Sequence, residues 1–166
     1  LLRHDMNLFA YHLPLDCHLD IGNNIWLARR LKLSDVASHS AQGVPNLVWT
    51  GKLLKVQTPE KFESVLAKLF NRSPQYIEGS KRNIERVAFC TGGAQDFIEQ
   101  AANLGADAYI SGEISERTYY QAKELGIHYF ACGHHATERG GIRALGEHLA
   151  LTFGLEHAFI DSNNPV

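Results

Sequence analysis

The chain is short of several things that would narrow its role at once. Cysteine is scarce: Cys17, Cys90 and Cys132 lie far apart, and no Cys-x-x-Cys occurs. An odd, scattered set is neither a disulfide framework nor a zinc ribbon. The three read as reduced thiols, with Cys90 and Cys132 as small buried hydrophobes in strand-like runs and Cys17 set apart by its acidic neighbour. Charge of one sign is not in excess either: 16 Lys and Arg stand against 18 Asp and Glu, a net charge of −2. That balance gives no support to nucleic acid or membrane as partner and leaves only a local patch at Lys81-Arg82 with Arg86. No apolar run is long enough to cross a bilayer, and no secretory leader is seen, so a cytoplasmic location is expected. An initiator Met is missing as well. Leu1-Leu2-Arg3-His4 reads as the end of a helix from a longer protein.

What is present is an ordinary globular composition. With 166 residues, 45% of them apolar, the chain can enclose a core as one α/β domain or as part of a two-domain protein. Asn7–Leu13 reads as a buried strand stopped by Pro14, Leu19–Leu31 as a helix with Asp20 as its N-cap, and residues 34–46 as loop. Leu47–Val56 carries a Thr-Gly turn signal and predicts a hairpin. Thr58-Pro59-Glu60 starts a helix that runs to about Phe70, and a short strand is expected at Gln75–Ile77.

From residue 84 onward the pattern turns regular. Strands are predicted at Arg86–Cys90, Ala108–Ser111, His128–Cys132 and His157–Ile160. Helices are predicted at Ala94–Leu104, Ser115–Leu125 and Ala136–Phe153, each ended by a glycine. The expected class is α/β, with mixed sheet layers and βα units, as the C-terminal portion of a two-domain subunit. Residues 1–80 form a first α/β segment in this reading, and 81–166 a βα-repeated one.

Sites in such folds form beyond the carboxyl ends of the strands, and the polar constellations fall there. His134 and Glu138 stand four apart across a strand-to-helix junction behind Gly133. They either converge on a divalent cation or cap the helix. The run His12-Leu-Pro-Leu-Asp16-Cys-His18 ends another strand, where Asp16 supplies a ligand carboxylate or stabilises the turn. Gly92 and Gly93 precede a helix start, as an anion site or as a tight turn. Glu113, in Ser-Gly-Glu at 111–113, is either an acid–base or orienting group or a helix cap.

These motifs occur together and in this order: His-Leu-Pro-Leu-Asp at 12–16, Cys-Thr-Gly-Gly at 90–93, Ser-Gly-Glu at 111–113, Gly-His-His-Ala-Thr-Glu at 133–138. In that, the chain resembles the GTP cyclohydrolase 1 type 2 homologues, the YbgI-like proteins, over essentially its whole length. The resemblance implies a toroidal homohexamer of α/β subunits with two divalent metal ions per site (Zn, Fe, Mn or Mg) facing the interior. It implies Asp16, His134 and Glu138 as metal ligands and His12 as a site-lining group acting with Glu113 in proton transfer. His135 falls where the family often has an aromatic residue, and it is not expected as a ligand. The family's His-His pair on an earlier βα unit has no counterpart in these residues. The activity implied is hydrolysis of a cyclic amidine C–N bond in a small molecule, a nucleotide such as GTP, with loss of formate. The alternatives are a non-catalytic ring-shaped scaffold that engages protein or nucleic acid, and an inactive remnant.

Overall fold

A computed structural model describes residues 1–166. Six strands form one mixed sheet in the order β1-β2-β4-β5-β6-β3, with β1 at Ser34–Ala41, β2 at Val44–Gln57, β3 at Gln75–Ile77, β4 at Ile84–Phe89, β5 at Ala108–Ser111 and β6 at His128–Ala131. The middle of the sheet, β4-β5-β6, is parallel, and both flanks are antiparallel. Strands from both halves of the chain therefore share one sheet, and the α/β class read from the sequence holds. The helices are α1 at Leu13–Cys17, α2 at Asn23–Arg30, α3 at Pro59–Phe70, α4 at Ile98–Asn103, α5 at Glu116–Leu125 and α6 at His134–Phe153.

Side chains alternate across the central strands, and both faces are covered. Val87, Phe89, Ile110 and Phe130 point to a core with Leu27, Phe62 and Leu66, under α2 and α3. Ala88, Tyr109 and Tyr129 point to a second core with Ile98, Ala101 and Ala122, under α4 and α5. Burial on two faces is why these strands read as unbroken apolar runs.

Local chemistry sets the helix ends. Thr58 Oγ1 accepts from the Lys61 amide at 3.4 Å with Pro59 in the first turn, and Ser115 with Thr118 forms a capping box on α5. Gly126 ends α5 with φ 66°.

Six expectations are corrected. Residues 7–12 are irregular, and helix α1 follows with Pro14 in its first turn, where its missing N–H costs nothing. The cap of α2 is Gly22, not Asp20. Residues 34–41 are an edge strand, and the hairpin turns at Gln42-Gly43, both at positive φ (47° and 80°), while Thr50-Gly51 lies inside the long β2. The helix after Gly93 is a short 3₁₀ turn, Gln95–Phe97, leading into α4. Residues 157–160 pair with no strand. No helix is long and apolar enough to cross a membrane.

Candidate metal centre

The parallel strands deliver three loops to one place, each hydrogen-bonded to the next. Gly112 N–H donates to Gly92 O at 2.9 Å, and Gly133 N–H donates to Gly112 O at 2.8 Å. A Cβ on Gly112 would lie 2.6 Å from Gly92 O and 2.8 Å from His134 Cα, so only glycine lets the loops close this tightly. Thr137, buried in the first turn of α6, accepts from the Gly92 amide at 3.0 Å and donates back toward Gly133 O, which locks the helix start to the loop after β4.

On this platform the His134 ring lies between two carboxylates. Nδ1 is 2.6 Å from Glu113 Oε1, and Nε2 is 3.2 Å from Glu138 Oε1. The four-residue spacing brings the imidazole and Glu138 together, and the end of β5 adds Glu113. Burial alone would lower the affinity of His134 for a proton. The Glu113 hydrogen bond and the charges of Glu138, Glu113 and Asp16 outweigh it, and the pKa is raised. For Glu138, burial and then the Asp16 charge raise the pKa, while His134 and His12 pull it down without cancelling the rise.

Asp16 sits in the last part of α1 and is 4% exposed. Its Oδ1 accepts from Asn23 Nδ2 at 2.8 Å and from Thr91 Oγ1 at 2.9 Å. Asn24, fully buried, donates to Asp16 O at 3.1 Å and to Leu47 O at 3.2 Å, and accepts from the Thr91 amide at 3.1 Å. Asn23 also accepts from Gly141 N–H at 2.7 Å, tying the same network to α6. Asn23 and Asn24 were given no role from sequence, and Thr91 and Thr137 entered only as members of the Cys-Thr-Gly-Gly and Gly-His-His-Ala-Thr-Glu motifs. The one signal for the asparagines was their place at the start of an otherwise apolar helix pattern.

The remaining sequence-derived residues are placed as follows. His12 is exposed and unbonded, close enough for its charge to act on Glu138. His18 turns away, its Nδ1 accepting from the Asp20 amide at 3.1 Å. His135 points toward Asp161, 3.6 Å away, and not toward Glu138. A Cβ on Gly92 would collide with Glu138 Oε1, and one on Gly93 would stand 3.5 Å from the Glu113 carboxylate. The amides at Gly92 and Ala94 are already engaged, by Thr137 Oγ1 and by Gly92 O, so these glycines give room to the acids more than donors to an anion. The chain has no group of three or more His, Cys, Asp or Glu side chains already spaced around a metal ion. His134 and Glu138 meet, while Asp16 acts on both through its charge and bonds to neither.

Comparison with known proteins gives a consistent relationship. Residues 1–165 match the family model for Duf34/NIF3 (NGG1p interacting factor 3). The chain is 50% identical over 169 residues to a GTP cyclohydrolase 1 type 2 homolog of Vibrio cholerae, covering 100% of this chain and 66% of that protein. It is 48% identical over 165 residues to one of Allochromatium vinosum, covering 99% and 64%. The chain thus spans slightly less than two thirds of the length of these relatives. A solved structure described as protein ybgI, of unknown function, superposes with a TM-score of 0.91 at 42% identity, over 99% of this chain and 65% of that one.

Proposed function

The chain belongs to the Duf34/NIF3 family, and from that premise we propose that Asp16, His134 and Glu138 hold divalent metal at a water-activating hydrolase site. The carrying observation is the orientation of His134. Glu113 takes Nδ1 at 2.6 Å and leaves Nε2 directed at Glu138 Oε1, 3.2 Å away. Metal-bound imidazoles are oriented in this way, by a carboxylate behind the ring. The donors fit a divalent cation in kind, since one imidazole and two carboxylates suit Zn, Mn or Fe and tolerate Mg. They fit in charge as well. The Asp16 charge disfavours the ionised form of Glu138, and positive charge between the two relieves that. Two of the three touch and Asp16 stands apart, so these residues are one part of a ligand set completed by water or by other ligands. Two ions per site, as in the resemblance, belong to the same proposal.

When bound, such ions supply a Lewis acid and a water that ionises near neutrality. The chain's own residues do the rest. Glu113 fixes the His134 tautomer and ring angle. His12, exposed at the rim, carries protons between the site and solvent. Gly92 and Gly112 keep the floor free of side chains. The substrate proposed is a small molecule with a cyclic C–N bond, GTP being the first to try because the relatives are named for it. The test is metal analysis of the protein beside Asp16→Ala, His134→Ala and Glu138→Ala, with formate release from GTP as the activity readout. Each variant is expected to lose most of its metal; full metal content in all three refutes the site. Metal-loaded protein that leaves GTP and related cyclic amidines intact refutes the cyclohydrolase chemistry alone.

Self-association is the second part of the proposal. Phe9, Tyr11, Leu149 and Ile160 border an apolar groove of about 490 Å³ on α6, and Phe9 is 75% exposed. Patches of this kind mark association surfaces. A hexameric ring is the expected assembly, checked by light-scattering mass; a monomer at micromolar concentration refutes it.

A further inference from the structure

Arg72 directly follows Asn71, whose left-handed φ of 56° ends α3, and its own amide bonds back to Ala67 O at 3.1 Å. The side chain then runs to the junction between β6 and α6. A Cβ on Gly133 would collide with Arg72 Nη1 and stand 2.8 Å from Cζ, so glycine at 133 makes room for the guanidinium as well as for the turn. Arg72 makes no side-chain hydrogen bond and no ion pair, and its Nη1 is wholly buried without a partner.

The surroundings make this unusual. Helix α6 is 20 residues long and begins at His134, with no side-chain cap and no acid in its first turn. An unpaired guanidinium therefore lies beside the positive end of a long helix, an arrangement that an anion would relieve. A cavity of about 520 Å³ opens there, lined by Arg72, Gln75, Gly112, Glu113, Gly133 and His134 among others. Glu113 is already bonded to His134 Nδ1, and Val166 at the cavity edge accepts the His135 amide at 3.3 Å. On its other side Arg72 borders a second cavity with Arg139, but Arg139 is paired with Asp161 at 2.7 Å. The cation without a counter-charge is Arg72.

We propose that Arg72, at the uncapped start of α6, is the subsite for an oxoanion group, phosphoryl or carboxylate, of the small molecule that reacts at His134 and Glu138. The assignment deepens the hydrolase reading and rests on it for the reacting end. It places the anion on the Arg72 side of His134 and not on the Gly92-Gly93 turn. The planar fork of an arginine suits two oxygens of one such group.

The test uses chelator-treated protein, so that metal cannot hold the anion. Inorganic phosphate and acetate are titrated calorimetrically into wild type, Arg72→Lys and Arg72→Met, and metal uptake is measured separately on each protein. Wild type binds at least one of the two, and the tighter one tells phosphoryl from carboxylate. Arg72→Met weakens it by about tenfold or more with metal uptake unchanged, and Arg72→Lys falls between. In wild-type nitrogen–proton spectra the anion shifts the signals of the Arg72 side chain and of the Gly133 and His134 amides, a readout that stands even if Arg72→Met does not fold. Affinity for both anions within twofold of wild type in folded Arg72→Met, no binding by wild type, or shifts confined to Gly92 and Gly93 each overturns the assignment. Metal uptake without anion binding refutes only this subsite; anion binding through Arg72 without metal uptake refutes only the hydrolase reading.

Discussion

The two sides of the candidate centre are built differently. On the Asp16 side the carboxylate is 4% exposed, its Oδ1 takes two hydrogen bonds, and a fully buried Asn24 ties its backbone to β2 and to Thr91. On the His134 side the His134, Glu113 and Glu138 side chains are 36%, 42% and 32% exposed, and their contacts are with one another. The first side is a rigid polar network that holds Asp16 through Oδ1 and leaves Oδ2 without a hydrogen-bond partner. The second is held by like charges around one imidazole, in a setting lined by glycines. A rigid anchor facing an incompletely neutralised pair is the arrangement in which a cation changes one side and leaves the other in place.

The strongest way to break that comparison is Asn24→Ala. It removes the partner of Asp16 O, Leu47 O and the Thr91 amide at once, inside the fold. The expected loss is about 3 kcal/mol, read as a fall in the urea midpoint at unchanged slope. His134→Ala in metal-free protein should cost less than about 1 kcal/mol, because its interactions are half exposed. If the two losses came out equal, the anchor and the mouth would be one structure and the distinction would fall.

The same contrast decides what could be read from sequence. The His134 side was legible because its signal is local: a glycine, a histidine and a glutamate at fixed spacing where a buried strand meets a helix. Strands β5 and β6 were legible for a related reason, since cover on both faces leaves them uniformly apolar. Helix α3 announced itself through Thr58-Pro59-Glu60. The Asp16 side depends on contacts 67 and 75 residues apart, Asn24 with Thr91 and Asp16 with Thr91, and no local pattern encodes such pairs. Strand β1 was hidden because an edge strand with polar side chains, Ser-Asp-Val-Ala-Ser-His-Ser-Ala, resembles a loop. Thr50-Gly51 misled because its glycine serves packing: a Cβ there would stand 3.0 Å from the Leu33 side chain. Residues 157–160 have the composition of a strand but find no neighbour to pair with. Arg72 gave no sequence signal, since a lone arginine after a helix has no spacing to mark it.

A smaller effect comes from a pair of glycines. Gly92 and Gly43 both have positive φ, 71° and 80°, but a Cβ on Gly43 meets nothing within 4 Å, whereas one on Gly92 meets Glu138 Oε1 and lies 3.2 Å from His134 Nε2. Gly43→Ala should cost about 1 kcal/mol of backbone strain and leave metal uptake unchanged. Gly92→Ala should cost about 2 kcal/mol and abolish uptake, because the new methyl group displaces a proposed ligand. Equal costs with equal metal content would mean that Gly92 serves the turn alone.

The smallest expected effect has the most informative sign. Burial, and then the Asp16 charge, raise the Glu138 pKa from its ordinary value. A group whose folded pKa is raised contributes stability that is complete below its unfolded pKa and lost as pH rises through the folded value. His134 shifts the same way: burial opposes, but Glu113, Glu138 and Asp16 raise its pKa, so its contribution is complete below the unfolded imidazole pKa and fades as pH passes the raised value. Metal-free protein should therefore lose thermal stability as pH rises from the ordinary carboxyl pKa to above the ordinary imidazole pKa, through these two groups. Glu138→Gln removes one of them, and should raise the neutral-pH stability of the metal-free protein by up to about 1 kcal/mol while removing metal uptake. Metal-loaded protein should show the opposite slope, since metal binding requires both ligands deprotonated. Melting curves across that range, with and without metal, separate the cases. A wild type and a Glu138→Gln variant that differ by a constant amount at every pH would place Glu138 with the rigid network of Asp16 and not with an open mouth.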